Sequence, residues 1–147
     1  MNIRQITCAL LCIFTTIVFA QNGNIDVAPK DRFSAEGASW NINGETGNVR
    51  IQLRKLTFNH GGNTGTIKLV LFASRTPFKP GASGWPIAES RLGQLNERQF
   101  YSNLSKNANL VRPPVGTYYV TLMVQEFYNG QWKIQRSMNG TKTTTFR

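Results

Sequence analysis

Side chains able to do chemistry are scarce in this chain. Its 147 residues include two cysteines, Cys8 and Cys12, and one histidine, His60. Seven acidic residues face 17 lysines and arginines. One long apolar run occurs, inside the first twenty residues, MNIRQITCALLCIFTTIVFA. Arg4 before that run, and the small side chains of Val18 and Ala20 after it, predict a secretory signal peptide over residues 1–20, cleaved after Ala20. The run is short for a membrane span of roughly 20 apolar residues, and no charge follows to stop transfer. Leu11 is too large to precede a lipidated Cys12. Both cysteines leave with the signal, so the expected mature chain has neither disulfide nor thiolate site. A cysteine-free exported domain leans toward a bacterial source, because small secreted animal domains tend to be disulfide-dense. The expected location is the periplasm or the cell exterior.

The shortage of histidine and carboxylate restricts catalysis. A Ser-His-acid arrangement needs His60 as its base, and no G-x-S-x-G elbow is present. His60 lies in NHGGNTG, residues 59–65, which lacks the lysine and helix of a phosphate cradle and reads as a loop between strands. The carboxylates are Asp26, Asp31, Glu36, Glu45, Glu89, Glu97 and Glu126. A glycosidase needs two of them facing across a cleft. Glu126 is the unusual one, since it continues the apolar face of Tyr118, Val120, Leu122 and Val124; at the strand end it is expected to meet solvent or an arginine, as a strand-end salt bridge. No calcium loop or zinc ligand set is present. The chain is therefore expected to be no enzyme and to hold no metal or cofactor.

Apolar periodicity is 2 nearly throughout, and Gly, Asn and Pro punctuate at short intervals, which predicts an all-β sandwich. Residues 21–38 read as a leader or short first strand, and 39–147 as a single domain of seven or eight strands. Trp40 and Ile42 share a face ahead of an Asn43-Gly44 turn. In 48–58, Val49, Ile51 and Leu53 point inward; Leu56 and Phe58 fall in the other phase, which predicts a bulge at Arg54-Lys55. Residues 66–74 are apolar on both faces, as in a central or covered strand. A loop over 75–86, RTPFKPGASGWP, leads to a strand over 87–92, followed by 100–111. Pro113, Pro114 and Gly116 frame the next strand, which is apolar on both faces. Asn129-Gly130 turns it into a hairpin with 132–138, and 141–146 closes the chain.

The order of VRIQLRKLTF, NHGGNTG, TIKLVLFAS, LGQLNERQFYSNL and PPVGTYYVTLMV resembles bacterial cell-adhesion-related domains, the seven-stranded immunoglobulin-like or fibronectin-like sandwiches found beside secreted enzymes. The resemblance covers most of 39–138. The departure is EFYNGQWKIQRSMNG, where such modules often carry an acidic residue and an Asn-rich ending. The resemblance implies an antiparallel immunoglobulin-like β-sandwich in an accessory, adhesive or assembly role.

Without Arg4 the chain keeps 16 basic against 7 acidic residues, a net charge of +9 that favours an anionic partner: a surface polymer, a glycan or an acidic protein. No nucleic-acid-binding signature accompanies it. Two regions are expected to meet the partner. One is the loop with Arg75, Phe78, Lys79 and Trp85; the other is a basic sheet face of Arg50, Arg54, Lys55 and Lys68. Trp40 and Trp132 are assigned to the core. A carbohydrate-binding module stacking sugars on Trp85, or a small inhibitor of a secreted enzyme, is the alternative.

Overall fold

In the computed structural model, which describes residues 32–147, the alternating runs become seven antiparallel strands: β1 (Phe33–Asn43), β2 (Asn48–Phe58), β3 (Ile67–Ser74), β4 (Gly84–Gly93), β5 (Phe100–Asn109), β6 (Gly116–Tyr128) and β7 (Gln131–Phe146). They form a three-stranded sheet, β1-β2-β5, and a four-stranded sheet, β4-β3-β6-β7. The described residues contain no helix, hence none long and apolar enough to cross a membrane. The expected signal peptide and the leader up to residue 31, with Cys8, Cys12, Asp26 and Asp31, lie outside the described residues.

The inward phases of both sheets meet in one core. Val49, Ile51, Leu53, Leu56 and Phe58 of β2 join Ile67, Leu69 and Leu71 of β3 and Tyr118, Val120, Leu122 and Val124 of β6. Each such side chain, fully buried, contributes about 1.5–3 kcal/mol. The result is a sandwich-like arrangement around a single core.

The phase slip in β2 is real, but its cause differs from the expected bulge. Register is unbroken across it: Glu36 and Ala38 pair Lys55 and Leu53, which in turn pair Ser102 and Leu104. No strand gains a residue over its neighbours. Instead all three strands change phase together, between Ala35 and Ala38, Leu53 and Leu56, and Tyr101 and Leu104. Gly37 (φ 65°) and Asn103 (φ 50°) flank Arg54 from either side in left-handed conformations. The three-stranded sheet is thus creased along one line. The same crease hid the first half of β1, which opens at Phe33 and not at Ser39.

Two other boundaries moved. Residues 132–138 and 141–146 form one strand, β7, which loops outward by two residues opposite Val120. Gly140 stands there because a Cβ would lie 2.8 Å from the Trp40 ring and 2.9 Å from the Val120 carbonyl. β4 starts at Gly84 and takes in Trp85 and Pro86. Being an edge strand, it tolerates the missing donor of Pro86. The Asn129-Gly130 hairpin is as expected, both residues having positive φ.

The loop over 75–83 folds onto the outer face of the four-stranded sheet. Phe78, only 7% exposed, packs with Val70, Met123 and Ile134 and meets Phe72 edge-on at 5.8 Å. The Asn139 amide bridges Thr121 Oγ1 and the Phe78 carbonyl. This cover explains why β3 and β6 are apolar on both faces. Across the core, Tyr118 Oη donates to the Pro114 carbonyl at 2.7 Å, pinning the start of β6 to the preceding loop.

Tyr101, partly buried in β5, donates to the Leu92 carbonyl at 2.9 Å. Burial raises its pKa above the ordinary value. The fold therefore favours the neutral phenol. That stabilisation is complete below about pH 10 and is lost as pH rises through the raised value. Tyr101→Phe is expected to flatten the alkaline limb of the Tm–pH curve, scanned calorimetrically above about pH 9. An unchanged limb would remove Tyr101 as its source.

Candidate functional site

Strand register builds a polar array on the outer face of the three-stranded sheet. Three rungs cross β1, β2 and β5: Asn43–Asn48–Asn109, Asn41–Arg50–Asn107 and Ser39–Gln52–Ser105. All nine residues are exposed. Neighbouring strands lie about 4.8 Å apart and successive rungs about 6.7 Å apart, so the side chains form a regular grid. Asparagine is depleted in strands. A merely solvated face would be served more cheaply by Thr or Lys, so five asparagines in one sheet face call for a reason beyond solubility.

The amides are presented, not consumed. Asn41, Asn48 and Asn109 make no side-chain hydrogen bond within the described residues. Asn43 Oδ1 accepts from the backbone N–H groups of Glu45 and Thr46, both at 3.0 Å, which fixes the β1–β2 turn and leaves its amide N–H₂ outward. Arg50 makes a long contact, 3.5 Å, from Nε to Asn107 Oδ1. A shallow, open depression lies among Asn41, Asn43, Thr46, Asn48, Val49, Arg50 and Asn107. Apart from Val49, its lining is amide, hydroxyl and guanidinium, groups that bond hydroxyls and carboxylates.

The expected basic face divides between sheets. Arg50, Arg54 and Lys55 share β2, where Arg54 pairs with Glu36 at 3.0 Å and Lys55 lies 4.8 Å over the Phe100 ring. Lys68 is a correction: it belongs to β3, in the other sheet, where it pairs with Glu89 at 2.9 Å and caps the Trp132 ring at 4.4 Å. Alternation shows which residues of one strand share a face; it does not show which sheet holds the strand.

The loop residues are also spread out. Arg75 is exposed, stacks 4.2 Å over Tyr118 and reaches the carbonyls of Thr117 and Val115. Lys79 is exposed. Phe78 covers the sheet, as described, and does not project from the loop. Trp85 meets Tyr118 edge-on at 5.4 Å and packs against the core, so its ring forms no open platform. Trp132, assigned to the core from its alternation, lies outside it, 5.3 Å from Phe127 on the outer face of the four-stranded sheet. The two tryptophans exchange their expected places.

Of the two partners expected for Glu126, it meets the arginine and not solvent. Its carboxylate is fully buried and accepts four hydrogen bonds. Arg32 Nε and Nη2 donate at 2.9 Å each, the Gly65 N–H at 2.8 Å and Gln135 Nε2 at 2.8 Å. The bonds to Glu126 raise the Arg32 pKa against the opposing effect of desolvation. With all four lone-pair directions occupied, the carboxylate is a structural anchor. His60 is exposed beside Phe58, and among the described residues no three His, Cys, Asp or Glu side chains cluster to hold a metal.

Sequence reasoning missed the amide rungs. The signal was a run of exposed-phase Asn and Ser in three separate segments, legible only once the pairing is known. No protein-family model matches the chain, and no curated protein matches it either.

Proposed function

We propose that this chain is an exported, non-enzymatic binding module of immunoglobulin-like or fibronectin-like build that holds an anionic, hydroxyl-rich glycan on the outer face of β1-β2-β5. The observation that carries the reading is the grid of exposed asparagines around Arg50. Amides offer donor and acceptor together, which suits hydroxyl pairs, and the planar guanidinium suits a carboxylate. The excess of basic over acidic residues points to the same sign of ligand.

The fold supports the family reading in two ways. Strand order departs from the constant-type immunoglobulin order in the fourth strand alone, which pairs with the third instead of extending the first sheet. The Tyr118–Pro114 bond has the form of a tyrosine corner at the start of the sixth strand. An accessory or adhesive role in the periplasm or outside the cell follows from the resemblance and the predicted signal peptide.

Affinity electrophoresis through polygalacturonate tests the reading. Retardation is expected with polygalacturonate and not with dextran, and it should fall steeply between about 20 and 500 mM salt. Arg50→Ala should weaken binding by about tenfold, the order of one charge-assisted hydrogen-bonded contact. Equal retardation by both polymers, or an Arg50→Ala chain that binds like the wild type, overturns the proposal.

A further inference from the structure

The end of the molecule opposite the β1–β2 turn carries a different surface. Three large aromatic side chains are exposed there: Phe100 (53%), Phe127 (43%) and Tyr128 (46%). They come from two segments, the start of β5 and the end of β6, which belong to different sheets and meet at one end of the sandwich to make its rim. Phe100 pairs with Thr57 at the end of β2. Arg32 lies 5.0 Å over the adjacent Phe58 ring and 5.5 Å over Tyr128. Phe127 packs against Trp132 across the β6–β7 hairpin.

Nothing in the core requires these rings, since the buried cluster is complete without them. Two of the three rings, Phe100 and Tyr128, are instead matched with cations, and the third, Phe127, has a cation only over its neighbour Trp132. Lys55 stands over Phe100, Lys133 lies 5.9 Å from Tyr128, and Lys68 covers Trp132 beside Phe127. Lys55 and Lys133 have no carboxylate partner among the described residues. The rim is therefore apolar at its tips and positive behind them.

We infer that this end docks on an anionic lipid bilayer, with Phe100, Phe127 and Tyr128 entering the headgroup layer and Lys55 and Lys133 meeting lipid phosphates. The pairing of ring and cation decides between partners. A dry protein interface would bury lysines whose desolvation demands an acidic partner for each. A headgroup layer is wet and anionic, so the ammonium groups stay hydrated while the rings lie at the depth that amphipathic aromatics prefer. The inference is independent of the glycan reading, because the amide depression sits at the other end of the sandwich. The two sites lie about 30 Å apart along the 11-residue β2.

The experiment uses the full chain and vesicles of phosphatidylcholine with or without 30% phosphatidylglycerol, some carrying lipids brominated near the headgroup. Trp132 fluorescence is the readout; Trp40 and Trp85 pack against the core, and a Trp132→Phe chain identifies the signal. Quenching by the anionic vesicles and none by pure phosphatidylcholine is expected. Phe127→Ser/Tyr128→Ser should reduce vesicle affinity at least about tenfold, and Lys133→Ala about fivefold. Both changes fall on exposed or half-exposed side chains, so the fold is kept, which a melting curve checks. The inference fails if vesicles bind without quenching Trp132, as insertion of the apolar run at residues 6–19 alone would produce. It also fails if the double variant binds unchanged, or if an oligothymidylate binds the rim and displaces the chain from vesicles.

Discussion

Glu126→Gln is expected to cost about 3 kcal/mol of folding stability, at the lower end of the 3–5 kcal/mol for breaking a buried ion pair, because Arg32 retains 22% side-chain exposure. The substitution is nearly isosteric, so packing does not explain the loss. Both carboxylate oxygens accept only from donors: two from Arg32, one from Gly65 and one from Gln135. An amide turns one of those oxygens into an N–H₂ group. On the Oε1 side that group faces two fixed donors, Arg32 Nη2 and the Gly65 N–H; on the Oε2 side a turn of the Gln135 amide, whose Oε1 has no other partner, relieves one contact and leaves the clash with Arg32 Nε. Arg32 loses its counter-charge in a place where water replaces it poorly. For a domain of this size the change corresponds to a Tm roughly 10–15 °C lower, readable by calorimetry. Arg32→Ala should cost at least as much, since it strands the fully buried carboxylate charge with only the Gly65 and Gln135 bonds. A Glu126→Gln chain within about 1 kcal/mol of the wild type would show that the buried network is not an anchor.

The same network ties the start of β1 to the β2–β3 loop, the end of β6 and β7. That gives the aromatic rim a rigid base: Arg32 reaches Tyr128 and Glu126 from one position. Loss of the pair is thus expected to loosen the rim before it touches the amide face, which rests on strand pairing far from Glu126.

How much of this was legible in the sequence depends on the range of the physics involved. Inside a strand, alternation is local, so the inward sets of β2, β3 and β6 could be read directly. Tyr118, Val120, Leu122 and Val124 are buried as their spacing predicts. Turn chemistry is local too, and Asn129-Gly130 turned as expected. Sheet membership is not local. β2 and β3 are consecutive, yet they lie in different sheets, and that separates Lys68 from Arg50. The roles of Trp85 and Trp132 were invisible for a similar reason. Pro86 obscured the 85–87 alternation that carries Trp85 inward, and β7 faces a covered outer surface as apolar as a core. The amide grid needs three segments brought together by pairing, and the aromatic rim needs strands from both sheets, which no window of sequence contains.

The crease shows an intermediate case, and it yields the second large effect. Gly37→Ala is expected to cost about 2–4 kcal/mol. Left-handed φ of 65° penalises alanine by about 1–2 kcal/mol. In addition, a Cβ at Gly37 would lie 2.6 Å from the Arg54 Cβ, an overlap of the kind that costs about 1–3 kcal/mol in packed sites. A double-mutant cycle separates the two causes. Arg54→Gly removes the overlap but leaves the φ penalty, so Gly37→Ala placed in the Arg54→Gly background should cost only about 1–2 kcal/mol. If the cost is the same in both backgrounds, the contact with Arg54 is immaterial. If Gly37→Ala costs nothing in either, the strand has lost its left-handed residue without penalty and the crease is not fixed at Gly37. The position is visible in the sequence as a glycine between two apolar phases, Phe33–Ala35 and Ala38–Ile42. What the sequence alone withholds is that Asn103, 66 positions later, takes up the matching conformation on the far side of Arg54. A crease needs all the strands it crosses to bend together, and so its penalty should be felt by β5 as well as by β1. Hydrogen exchange in the Gly37→Ala chain is expected to accelerate at Ser102–Leu104 along with Glu36–Ala38, while the amides of β6 keep their protection.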